Sequence, residues 1–297
     1  MTTKSTRCLL VASTEAYSGK SATIVGLTHQ LKGKGINVTY GKPLGTCLSN
    51  DLTEILEEDR NFLSTTLGLN NNQIKLPLLY LDKDTLNRRL QGEDTTDYAS
   101  ALQDYLQDIQ SDLVFLEGTG NLSEGSLFNL SIPEMATIVN ASVLLIARYN
   151  SLLSVSSLLA AKQFLGDRLL GVVLNDIPKS AWDTASTVVK PYLEQQNIPV
   201  LGMLPRDNLL HSVSVRELAT RLNAQVLCRR DRLGLMVESL SIGAMNVNSA
   251  LEYFRQRKNM AVVTGSDRTD LQLAALETST HCLILTGHTP PQQLILS

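Results

Sequence analysis

The sequence predicts an α/β protein: a doubly wound, mostly parallel sheet followed by a smaller α/β module. Apolar runs of four to seven residues recur without alternation, as in strands buried on both faces. Between them lie segments whose apolar residues fall three and four apart, as on one face of a helix. The first strand, helix and strand fit within about 35 residues, the size of a βαβ unit.

Cys8 to Ala12 reads as the first strand, and Ser13 to Gly19 as a turn of small and polar residues. Lys20 to Leu31 is predicted helical, with Ile24, Leu27 and Leu31 on one face. Ile36 to Tyr40 is the second strand, after the breaker Gly35. A helix is predicted from Asp51 to Leu67, then a loop at Asn70-Asn71-Asn72. Leu78 to Leu81 reads as a strand and Tyr98 to Ile109 as a helix. Leu113 to Leu116 is an apolar strand ending in Glu117-Gly118. Strands follow at Ala141 to Ala147 and Leu169 to Leu174, with a helix through Leu152, Val155 and Leu159 between them. A helix from Trp182 to Gln195 and a strand from Pro199 to Leu204 complete a domain assigned to residues 1–208.

Residues 215–297 form the second module. Its predicted helices are Val215 to Leu222, Val247 to Arg255 and Asp270 to Leu276. Its predicted strands are Gln225 to Leu227, Gly234 to Leu240, Met260 to Thr264 and His281 to Leu285. Only a short tail follows the last of these, so the module is expected to be C-terminally incomplete.

Composition bounds the function. The chain has 297 residues, 43% of them hydrophobic, enough for roughly two domains. Lys and Arg number 26 against 29 Asp and Glu, a net charge of −3. That balance gives no electrostatic reason to expect nucleic acid or an anionic membrane as partner. No apolar stretch approaches a membrane span, and the N-terminus lacks the apolar core of a signal peptide. Cys8, Cys47, Cys228 and Cys282 are scattered, which predicts a reducing cytoplasm and no disulfide or metal framework. His29, His211, His281 and His288 have no ligand spacing, and no Gly-x-Ser-x-Gly or His-Glu-x-x-His motif occurs.

The turn after the first strand carries chemistry. Val11-Ala12-Ser13-Thr14-Glu15-Ala16-Tyr17-Ser18-Gly19-Lys20-Ser21 reads as strand, loop and helix start. Backbone N–H groups of such a loop surround phosphate oxygens, helped by the positive end of the helix. Thr14, Glu15 and Ser18 lie in the loop, and Gly19 allows close backbone approach. Lys20 places a cation on the phosphates and Ser21 a hydroxyl toward Mg²⁺. The common phosphate-loop pattern has Gly where this chain has Thr14. The reading is a nucleotide-binding sheet of the P-loop NTPase type.

The loop without its first glycine resembles that of dethiobiotin synthetase and its relatives, and the likeness extends along the chain. Tyr40-Gly41-Lys42-Pro43 is similar to the family's Lys-Pro signature, and implies that Lys42 serves at the γ-phosphate and substrate as the candidate catalytic residue. Phe115-Leu116-Glu117-Gly118-Thr119-Gly120 is similar to Val-Glu-Gly-Ala-Gly, and implies that Glu117 holds Mg²⁺ with Ser21. The family's further aspartate is best matched by Asp59, with Asp51, Glu57 and Glu58 as competitors. Leu174-Asn175-Asp176 resembles the strand end whose Asn contacts the base, and Leu201-Gly202-Met203-Leu204-Pro205-Arg206 resembles the closing strand and loop, which assigns Asn175 and Pro205 to the nucleotide. The resemblance thus implies ATP and Mg²⁺ as cofactors. Tyr17 and Ser18 stand where the synthetases have Glu-Val, which argues against their biotin-pathway reaction.

Gly243-Ala244-Met245, Ala250-Leu251-Glu252-Tyr253 and Thr264-Gly265-Ser266-Asp267-Arg268-Thr269-Asp270 resemble the DRTGG domain. That module follows a synthetase-like domain in the N-terminal region of long phosphate acetyltransferases. Asp267, Arg268 and Thr269 are then expected at a strand-to-helix junction facing an effector, such as a small anion, or a subunit interface. The plainer role is a helix cap at Asp267 or Thr269. Together these resemblances imply an ATP–Mg²⁺-binding regulatory or sensory protein, a homo-oligomer lacking the acetyltransferase catalytic domain. The alternative is an ATP-dependent ligase or carboxylase related to dethiobiotin synthetase.

Overall fold

The computed structural model of the chain describes residues 7–45, 62–107, 109–287 and 289–296. Contacts divide the chain into two compact units, Met1–Arg206 and Asp207–Ser297.

The first unit contains β1 (Arg7–Ser13), β2 (Val38–Gly41), β3 (Leu44–Gly45), β4 (Ile74–Lys75) and β5 (Leu79–Tyr80). Then come β6 (Leu113–Glu117), β7 (Ser142–Arg148), β8 (Leu169–Ile177) and β9 (Val200–Pro205). Seven of them form one sheet in the order β4-β2-β6-β1-β7-β8-β9, with every pairing parallel. The two-residue strands β3 and β5 pair separately.

Helices on both faces explain the uninterrupted apolar runs. On one face, Leu10, Ala12, Leu116, Leu145 and Leu174 pack with Ile132, Met135, Leu158 and Leu193. On the other, Val11, Tyr40, Phe115, Leu144 and Ile146 pack with Ile24 of the helix Lys20–Gly33. Adjacent residues of β1 therefore serve opposite cores, and neither position tolerates a polar side chain. Burying one residue such as Phe115 contributes roughly 1.5–3 kcal/mol before the entropy of ordering is counted.

Some expected elements differ. The helix expected over Tyr98 to Ile109 is Tyr98–Tyr105, started by Asp97, whose carboxylate accepts from Ala99 N and Ser100 N. Of the helix expected from Asp51 to Leu67, only residues 62–67 are described, and they are helical. Among the described residues of this unit, two α-helices are not anticipated by the sequence. Lys83–Leu90 is capped by Asp82, and Ile132–Ile138 begins with a Ser131–Glu134 capping box.

In the second unit β10 (Val213–Ser214) and β11 (Met236–Val237) pair antiparallel. The strands β12 (Ser239–Ile242), β13 (Met260–Gly265) and β14 (Thr280–Thr286) form a parallel sheet in sequence order. Helices Val247–Arg255 and Thr269–Leu276 supply Ala250, Phe254, Leu271 and Ala275 to a core with Met260 and Val262. The expected strand at Gln225 to Leu227 does not form, and the one expected over Gly234 to Leu240 is split at Glu238. Val226 and its neighbours pair with no strand among the described residues, and an isolated three-residue segment does not hold an extended form. No helix among the described residues is long and apolar enough to cross a membrane.

Candidate functional site

The site lies at the carboxyl ends of β1, β2, β6 and β8, where doubly wound sheets bind ligands. The loop after β1 leads into the helix Lys20–Gly33 through Gly19, which sits at φ 99° in the left-handed region. No side chain caps that helix start, and no acidic residue lies in its first turn. Its leading N–H groups and positive dipole are therefore open to an anion. Beside them the Ser18 hydroxyl is buried with no hydrogen-bond partner among the described residues, a polar atom suited to a ligand oxygen.

Asn175, from β8, supports this loop from beneath. Its Nδ2 donates to Ser18 O at 2.8 Å. A Cβ on Gly19 would lie 2.3 Å from that same nitrogen, so the close approach requires glycine. The described contacts of Asn175 thus hold the loop, a role that its expected assignment to the base did not include. Asn150, after β7, donates to both carboxylate oxygens of Glu15 at 2.9 and 3.2 Å, tying the loop's outer side to the sheet. Tyr17, at φ 57°, is 91% exposed at the loop's tip.

Lys20 is only 9% exposed, and its Nζ donates to Ser13 Oγ at 2.9 Å. Ser13 Oγ in turn reaches the carbonyls of Glu15 and Gly120 at 2.7 and 3.3 Å. Burial pulls the Lys20 ammonium below its ordinary pKa; the nearby carboxylates of Glu117 and Glu124 oppose that shift, and Lys42 adds to it. A bound phosphate would supply the counter-charge that this partly desolvated cation lacks. Lys42, half-buried after β2, is thereby brought near Lys20. Burial holds the phenol of Tyr105 above its usual range, and the backbone of Lys42 opposes that shift.

Glu117 closes β6 and is 5% exposed. Its Oε1 accepts from Ser21 Oγ at 2.8 Å and its Oε2 from Tyr40 OH at 2.9 Å. Ser21, a residue of the expected metal pair, is therefore in direct contact with Glu117. A serine hydroxyl that donates its one hydrogen still has lone pairs for a cation. Mg²⁺ keeps several waters and takes one or two protein ligands besides phosphate oxygens, so this donor set fits it without a larger cluster. Among the described residues no group of three or more His, Cys, Asp or Glu gathers for a metal. Asp59, with Asp51, Glu57 and Glu58, lies outside the described residues. Thr14 lies in the loop, and Pro205 is exposed at the end of β9.

Sequence reasoning missed several of these residues. Ser13, Tyr40, Glu124 and Asn150 join through contacts between elements far apart in the chain, and no local pattern marks them. Near the end of β8, Asp176 is 4% exposed and bridges two arginines. Its Oδ2 takes Arg148 Nε and its Oδ1 takes Arg206 Nε, each at 2.7 Å. That cluster pins the ends of β7, β8 and β9 together.

In the second unit Arg268 does stand at a strand-to-helix junction, between β13 and Thr269–Leu276. The expected cap is corrected: the helix's N-cap is Arg268 itself, with no side-chain cap from Asp267 or Thr269. The Arg268 guanidinium forks onto Asp270 with two bonds of 3.0 Å, and also donates to Met245 O at 3.2 Å. Gln272, fully buried, donates to Gly265 O at 2.8 Å and leaves its own Oε1 without a partner.

The family model described as an AAA domain matches residues 7–214, and that of the DRTGG domain matches residues 217–297. The chain is 27% identical to the phosphate acetyltransferase of Synechocystis sp. over 288 residues, covering 92% of this chain and 39% of that protein. It is 25% identical to the same-named protein of Nitratidesulfovibrio vulgaris over 280 residues, 90% of this chain and 39% of that one. The chain thus spans well under half the length of these curated relatives. Among solved structures, the septum site-determining protein MinD from Pyrococcus horikoshii, complexed with Mg-ADP, aligns at 14% identity. Its TM-score is 0.43, and the match covers 69% of this chain and 84% of that one. The signal recognition particle receptor FtsY of Elizabethkingia anophelis, in complex with GDP, aligns at 17% identity with a TM-score of 0.40, covering 67% and 57%. Likeness at this level carries no argument about the ligand of this chain.

Proposed function

The chain belongs to the AAA domain family over residues 7–214, and from that premise we propose that it is an ATP–Mg²⁺-binding regulatory protein of the phosphate acetyltransferase N-terminal type. One observation carries the reading. An uncapped helix start, a buried lysine and a serine bonded to a buried carboxylate converge at the carboxyl edge of one parallel sheet. Lys20 meets the β- and γ-phosphates and Ser21 meets Mg²⁺ beside Glu117, with Asp59 as a further carboxylate by resemblance. When bound, the metal neutralises phosphate charge, and the chain's own residues orient the nucleotide. Thr14, Glu15, Ser18 and Gly19 line the phosphates, with Asn175 holding the loop beneath them; Pro205 is assigned to the nucleotide by resemblance. The protein acts in the cytoplasm, as a homo-oligomer.

The DRTGG unit is the responding module in this reading. Of its two roles, self-association is favoured over capture of a small anion, because Asp270 already occupies the Arg268 fork. A ligase remains the second reading, favoured by the position of Lys42 close to Lys20. Hydrogen exchange separates the two. For a regulator, ATP–Mg²⁺ slows amide exchange in residues 13–21 and also changes exchange within residues 243–287, without steady ADP release. Protection confined to the first unit, with sustained ADP release, would sink the regulatory reading and favour the ligase.

A further inference from the structure

Resting on the nucleotide reading above, we propose that Tyr40 is a positioning residue for the metal, holding Glu117 so that Ser21 faces Mg²⁺. In the parallel pair β2 and β6, Tyr40 lies opposite Phe115. Glu117 is two residues further along β6, hence on the same face of the sheet as Phe115. A tyrosine ring leaning along the strand is long enough to bring its hydroxyl to that carboxylate. The hydroxyl arrives at 2.9 Å, between two side chains that are only 3% and 5% exposed.

The backbone beneath Tyr40 is fixed on both sides. β2 lies between β4 and β6. A Cβ on the next residue, Gly41, would stand 2.8 Å from the Tyr105 hydroxyl, which itself donates to Lys75 O. Little freedom remains for Tyr40 to follow Glu117 if the carboxylate turns. The carboxylate must instead stay where the phenol holds it.

Glu117 has two competing attractions. Ser21 Oγ donates to one oxygen, while Lys20 is close enough for its charge to be felt. A carboxylate free to rotate would swing toward the lysine and neutralise the cation needed for phosphate. Tyr40, bonded to the second oxygen, opposes that rotation, and Lys20 Nζ is left on Ser13. With Glu117 so held, Ser21 spends its hydrogen on Glu117 and presents its lone pairs to a cation. Glu117, one bond removed from the metal through Ser21, is a partner of the kind worth about 10–100-fold in metal affinity, and Tyr40 acts by holding it. Phenylalanine would fill the same space and satisfy the same core, so only the oxygen carries this role.

The test measures ATP binding to the whole chain by calorimetry, for the parent and for Tyr40→Phe, across a Mg²⁺ series and in excess EDTA. The proposal expects the Mg²⁺ concentration for half-effect to rise about 10–100-fold in Tyr40→Phe, with metal-free ATP affinity nearly unchanged and the melting temperature lowered only by the few degrees that one lost buried bond costs. An unchanged Mg²⁺ dependence overturns it, as does an equal loss with and without metal. A Phe variant that does not fold assigns the hydroxyl to the core and overturns it as well. A parent protein that shows no Mg²⁺-dependent ATP binding overturns the nucleotide reading itself, which keeps the two failures apart.

Discussion

Lys20→Ala is expected to lose ATP affinity on the order of 100-fold, while the ligand-free protein keeps its melting temperature. Truncating one partner of a desolvated charge pair costs several times what an exposed pair would lose. Lys20 is 9% exposed, so its bond to a phosphate would form out of bulk water. The same burial explains why the empty protein should not suffer. Burial already disfavours the charged amine, and the ammonium is described with one hydrogen bond, to Ser13. Removing it relieves that desolvation at the cost of one bond. Thermal melts of parent and variant, with and without ATP–Mg²⁺, check both halves. A variant that binds ATP like the parent places the phosphates elsewhere; one that melts far below the parent makes Lys20 a structural residue.

Gly19→Ala should act on fold and binding together. The φ of 99° costs an L-residue roughly 1–2 kcal/mol. The new methyl would also lie 2.3 Å from Asn175 Nδ2, displacing the side chain that supports Ser18 O. Losing that hydrogen bond adds roughly 1 kcal/mol, so the ligand-free midpoint should fall by about 5–10 °C. The loop's N–H groups would no longer converge, and ATP affinity should fall at least about tenfold. Differential scanning of the variant is the check. A midpoint within a degree of the parent, with ATP binding intact, would mean that the loop adopts another shape in solution.

What was legible in the sequence followed from local chemistry. Gly19, Lys20 and Ser21 announce themselves between an apolar strand and an amphipathic helix. Glu117 ends an otherwise apolar run, but what singles it out is the likeness of its segment to Val-Glu-Gly-Ala-Gly. The main strands were visible because both faces of the sheet are covered. β4 was not, because two residues at a sheet edge make no periodic signal, and its pairing with β2 supplies the order. Tyr40 read as the last apolar residue of a strand; its hydroxyl matters only once β6 brings Glu117 alongside. Asn175 could be placed at a strand end, but its hold on the phosphate loop depends on a contact across 157 residues. The cap near Asp267 failed for a related reason. Arg268 bonds Asp270 and Met245 O at the surface, the helix starts at Thr269 rather than Asp270, and Asp267 is left exposed.

The central claim is that the loop after β1 binds ATP with Mg²⁺. Titration calorimetry of the whole chain with ATP in Mg²⁺, repeated in EDTA and with GTP, tests it most directly. The account predicts saturable binding of one ATP per chain that weakens sharply in EDTA. At a hundredfold excess over Kd, that binding stabilises the fold by roughly 2.7 kcal/mol, a rise of about 5–10 °C in melting temperature. No heat and no thermal shift at millimolar ATP–Mg²⁺ would contradict it.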